Sequence, residues 1–164
     1  MSTDPKAYYQ AALRSTHAAE VQGLRQMETQ VGGLDDYPEY AALLRRHIEV
    51  TKGQIARVER ALEETGSSPS SFKEAVTGAI GTVGAVGHKL ASDETLKNLY
   101  AGYAYQYEQI GAYHSLATIA EEVGYDAHKQ WINQSIAEEE EAASAVKDLI
   151  GTVTRRHLEL ATKG

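Results

Sequence analysis

The chain has 23 acidic residues, six histidines and no cysteine. Disulfides, thiolate nucleophiles and sulfur-ligated metals are therefore excluded, and any metal must be held by Asp, Glu and His. Leu13, His17, Glu20, Leu24, Met27 and Val31 follow one another at helical spacing, which aims His17 and Glu20 at a core. A second stripe passes through Leu44, Thr51, Ile55 and Val58, with His47 and Gln54 within about 60° of Thr51 at about 100° per residue. Glu49 falls nearly opposite. Ile132, Ser135, Glu139, Ala143, Val146 and Ile150 share a third stripe, so Glu139 is the inward acid of the run Glu138 to Glu141, and the others are solvated charge. Glu108 is the one carboxylate in the middle of its segment, among Ala101, Ala104, Gly111, Ala112 and Ser115.

Buried carboxylates are costly unless paired or bound to metal, which leaves two chemistries open. Glu20, His47, Glu108 and Glu139 could hold a divalent cation, iron or manganese. Alternatively, Glu20 and Glu139 could be hydrogen-bonded to His17, His47, Gln54 or tyrosine hydroxyls in a polar core layer. The Glu-x-x-His pair of di-iron helical bundles is absent, because the histidines follow Arg14, Leu44, Ala85, Gly111, Tyr125 and Thr154 by three residues.

The elements that must carry these residues are all helical. Asp4 with Pro5 starts a segment that Gly32 and Gly33 stop, and Asp36 with Pro38 starts a second that runs to Thr65 before Gly66. Ser71 and Glu74 form a capping-box pattern for a short helix from Phe72 to about Leu90. Ser92 caps a third long segment that ends at Gly124, and Asp126 caps a fourth that runs toward Leu160. Four segments, each about 40 Å long at about 1.5 Å per residue, with two short links and one long one, specify an all-α fold. It is a four-helix bundle with one long crossover containing a short extra helix, the arrangement called ferritin-like.

Gly78, Gly81, Gly84 and Gly87 soften the short helix. With no preceding strand they do not make a nucleotide-binding turn. Tyr100, Tyr103, Tyr105, Tyr107 and Tyr113 crowd the third segment, where tyrosines serve as core and interface residues with a polar tip; radical chemistry beside a metal is the alternative.

At 164 residues the chain is expected to form a single domain over 1–164. Its net charge of −7 gains nothing from phosphate backbones, so nucleic acid is not an expected partner. No stretch is long and apolar enough for a membrane span and no leader pattern opens the chain, so a cytoplasmic location is expected.

Ala18 to Gln22, His47 to Ile55 and the stretch containing Tyr113, Leu116 to Ala120, Gly124 and Tyr125 together resemble the YciE/YciF-type ferritin-like proteins, bacterial stress-associated bundles often described as metal-binding. The likeness covers about Leu13 to Leu149. It implies a stress-associated protein. Where that family tends to carry acids, this chain has Val50, Gln106, Gln109, Thr77 and Gly81. Glutamine keeps shape and hydrogen bonding but loses the charge that holds a hard cation. The expectation is therefore a reduced or weak iron or manganese site of Glu20, His47, Glu108 and Glu139, in a homodimer that meets through the crossover or the tyrosines. The alternative is a di-iron or di-manganese oxidase or peroxide scavenger.

Overall fold

A computed structural model describes residues 4–67 and 94–163. The expected short helix from Phe72, its glycines, Thr77 and the Ser92 cap lie outside the described residues. Among the described residues there are four long helices and no strand: α1 (Pro5–Val31), α2 (Pro38–Glu64), α3 (Glu94–Glu122) and α4 (Lys129–Thr162). Asp4 Oδ1 accepts from the backbone N–H of Lys6 and so caps α1, with Pro5 supplying a fixed φ at the first helical position. Gly66 (φ 84°) and Gly124 (φ 83°) end α2 and α3 in the left-handed region that glycine tolerates best.

One cap and one boundary differ from expectation. Helix α2 begins at Pro38 with Tyr37 (φ −129°, ψ 64°) at the cap position, while Asp36 turns to Arg156 of α4. Asp126 opens a single 3-10 turn, Asp126–His128, and α4 begins only at Lys129.

The buried side chains form two apolar clusters. Tyr9, Leu13, Val58, Leu62, Tyr113, Leu116, Ile132 and Ile136 fill one end, and Met27, Tyr40, Leu44, Ile48, Leu99 and Val146 fill the other. The first cluster draws on the start of α1, the end of α2, the end of α3 and the start of α4. Helices α2 and α3 therefore run parallel, with the end of α2 and the start of α3 at opposite ends of the bundle. The tight neighbours are α1 with α2 and α3 with α4; the seams joining the two hairpins, α1 with α3 and α2 with α4, are sparser.

Candidate functional site

Between the two apolar clusters lies a layer of buried polar side chains. Helix α1 contributes Glu20, and α2 contributes His47, Thr51 and Gln54 at spacings of four and three. Helix α3 contributes Gln106, Gln109 and Tyr113, and α4 contributes Ser135 and Glu139. Each helix enters this layer midway along the stripe that is apolar at both ends, so the same periodicity that builds the core delivers the polar groups to one level.

Glu20 and Glu139 are 1% and 0% exposed, so their hydrogen bonds decide their state. Tyr113 donates its hydroxyl to Glu20 Oε1 at 2.6 Å. Gln54 donates Nε2–H to Glu139 Oε1 at 2.9 Å, and His47 Nε2 lies 3.5 Å from that same oxygen. Burial pushes the Glu20 carboxyl up from 4.5 to about 7; the nearby Glu139 adds to this, while the bonds from Tyr113 and Gln109 and the neighbouring His47 oppose it. Burial, with the charge of Glu20, holds the Tyr105 and Tyr113 hydroxyls far above the ordinary phenol value, so both act as neutral donors. Tyr105 donates to the Ala19 carbonyl at 2.7 Å and accepts from Gln109 Nε2 at 2.9 Å. Its ring is admitted by Gly23, where a Cβ would stand 2.5 Å from the Tyr105 oxygen.

Three of the four residues expected at the site, Glu20, His47 and Glu139, share the layer. Glu108 does not join them: it is exposed, on a face with Ala104, Gly111 and Ser115, which are also exposed. The buried stripe of α3 runs through Gln106, Gln109 and Tyr113, and at about 100° per residue Glu108 cannot share it. His17 faces Glu59 rather than the layer, at 2.9 Å. Arg57 of α2 grips Glu138 of α4 with both ends of its guanidinium, so Glu138 is not free solvated charge. The stripe spacing of Leu99, Gln106, Gln109, Tyr113, Leu116 and Ala120 in α3 carried the signal for the inward glutamines. The Arg57–Glu138 pair left no such signal.

The donor set answers whether a metal centre fits. Among the described residues, no group of three or more His, Asp or Glu side chains is arranged to hold a metal ion. A two-metal carboxylate cage needs about six inward ligand groups, and the described residues bring two acids and one imidazole to this layer. Several lone-pair atoms in the layer are nevertheless buried without a hydrogen-bond partner: Glu139 Oε2, His47 Nε2, Gln54 Oε1, Gln106 Oε1 and Thr51 Oγ1.

Four long helices, with α2 parallel to α3 and a polar layer between two apolar clusters, give the chain the fold of ferritin-like helical bundles. It superposes on a bacterioferritin of Desulfovibrio desulfuricans, solved with its diiron site in different catalytic states, at a TM-score of 0.74 and 18% identity, covering 98% of this chain and 88% of that one. A protein of Xanthomonas campestris pv. campestris matches at a TM-score of 0.79 and 21% identity, covering 96% and 98%. The stress protein YciF of E. coli matches at 0.69 and 19%, covering 91% and 96%. Residues 4–159 match the family described as "Domain of unknown function (DUF892)", and the chain belongs to that family. This agrees with the YciE/YciF-type resemblance of the sequence.

Proposed function

We propose that this protein is a stress-associated ferritin-like bundle whose core holds at most one divalent cation, iron or manganese, weakly, and that it is not a two-metal oxidase. The observation that carries this reading is the pair Glu139 Oε2 and His47 Nε2, two buried polar atoms on facing helices without hydrogen-bond partners. The amide oxygens of Gln54 and Gln106 would complete a neutral-rich donor set around them. Glu20, with a carboxyl pushed to about 7 and a bond from Tyr113, is a reluctant ligand at neutral pH. With one acid as the main charge, affinity for a hard cation is low. A bound cation would polarise whatever met it, while this chain's own residues bury it away from solvent. The stress association rests on the likeness to YciF.

The test is calorimetric titration of the protein with Mn(II), and with Fe(II) under anaerobic conditions. One weak site, lost in Glu139→Ala and in His47→Ala and kept in Glu108→Ala, is expected. Two tight sites per chain, abolished by Glu20→Ala, would restore the oxidase reading.

A further inference from the structure

The seam between α1 and α3 opens into a cleft whose lining changes character with depth. Gln26 and Ala101 are exposed and Gln30 and Gly102 half-buried, so these four form the mouth. The floor is Leu44, Leu99 and Val146, with the polar His47 and Gln106. His47 and Gln106 are 5% and 4% exposed, and their Nε2 and Oε1 atoms are among those buried without a hydrogen-bond partner. The free space is about 40 Å³, more than the roughly 10 to 15 Å³ one water needs. An apolar pocket with a few convergent polar groups is the general form of a small-molecule site.

We propose that this cleft binds a small neutral alcohol, with its hydroxyl between Gln106 and His47 and its short carbon chain against Leu99 and Val146. A hydroxyl has the one donor and the acceptor lone pairs that the two orphaned atoms call for: it donates to Gln106 Oε1, and its oxygen accepts from His47 Nε2–H in the tautomer with Nδ1 unprotonated. A cation draws on Gln106 Oε1 as well but gains nothing from the aliphatic walls, so the metal-free protein is the form that takes the alcohol. An alkane fills the walls but leaves two buried polar atoms unpaired, the costly outcome. His47 also lines a groove of about 150 Å³ on the opposite, α2/α4 seam, with Arg46 and Glu138 at its edge. The imidazole thus stands between two openings and closes the cleft at its inner end.

Ethanol is the probe, followed by the methyl signals of Leu99 and Val146 and the ring signals of His47 in NMR spectra of the full chain. No metal is added, so the outcome is independent of the metal reading. A ligand this small binds with a Kd on the order of 10 mM. Saturable shifts confined to those residues are expected. A Cβ at Gly102 meets no atom within 4 Å, so Gly102→Leu should fold normally and block the mouth. The saturable shifts should vanish in that variant with Tm unchanged or higher. Gln106→Leu should keep the fold and weaken ethanol by about fivefold or more. Shifts in the wild-type chain that stay linear in ethanol overturn the proposal. So does an affinity unchanged in either variant.

Discussion

With its carboxyl pushed to about 7 by burial, Glu20 takes up a proton on folding across the interval from 4.5 to about 7. The folded state binds that proton more tightly than the unfolded state, so the stabilisation is complete below 4.5 and is lost as pH rises through 7. The loss amounts to about 3 kcal/mol for the wild-type residue. Glu20→Gln should flatten this fall and be more stable than the parent at pH 8 by about 1 to 3 kcal/mol, checked by urea unfolding at pH 5 and pH 8. A variant that keeps the parent's slope would show that another group carries it. Replacing both Glu20 and Glu139 by Gln should be tolerated or stabilising, since removing buried charge is often neutral or better. Tyr113→Phe is the contrasting case. It strips the hydroxyl that reaches Glu20 Oε1 at 2.6 Å and leaves that oxygen buried, at a cost of about 1 to 3 kcal/mol in thermal or urea melts near pH 7.

At Gly23, helix α1 lets the Tyr105 ring of α3 lie on its backbone. In an open helix position, Gly→Ala stabilises by about 1 kcal/mol. At Gly23 the sign should reverse. The added Cβ displaces a ring tied at its oxygen to Ala19 and Gln109, and a net loss of about 1 to 2 kcal/mol is expected. Gly53, where a Cβ meets nothing within 4 Å, is the internal control and should gain stability when changed to Ala. Differential scanning calorimetry of the two variants separates the helix propensity from the close approach.

Across the whole bundle, α4 and the 3-10 turn that leads into it are tied to the first hairpin by polar contacts at both ends and in the middle. Tyr9 is bonded to His128 Nδ1 at 2.9 Å, and His128 Nε2 to Glu64 at 2.7 Å. At the far end, Tyr37 is bonded to His157 Nδ1 at 3.0 Å. Removing the central tie with Arg57→Ala leaves Glu138 without its guanidinium and should raise amide exchange along the α2/α4 seam more than within either hairpin. Tyr100 and Tyr107 remain 47% and 56% exposed on α3, with Tyr103 edge-on to Tyr107. We propose that this face joins two copies, because contiguous exposed apolar patches mark interaction surfaces. Light scattering should give a species near twice 17.9 kDa that returns to one chain in Tyr103→Glu. A single chain at every concentration sinks the dimer.

The four long helices, most of their ends and the inward direction of Glu20, His47, Gln54 and Glu139 were legible from spacing and caps, because 3.6-residue periodicity and cap chemistry act within one segment. The sequence by itself therefore determined the class of fold and which helix face each of these residues occupies. What those residues meet was decided by tertiary structure. That Tyr113 bonds Glu20, that Gln54 bonds Glu139, that Glu108 is left outside and that Tyr105 rests on Gly23 all depend on the axial offset and rotation of one helix against another. Those offsets are set by the packing of many side chains at once, and no local pattern in the chain encodes them.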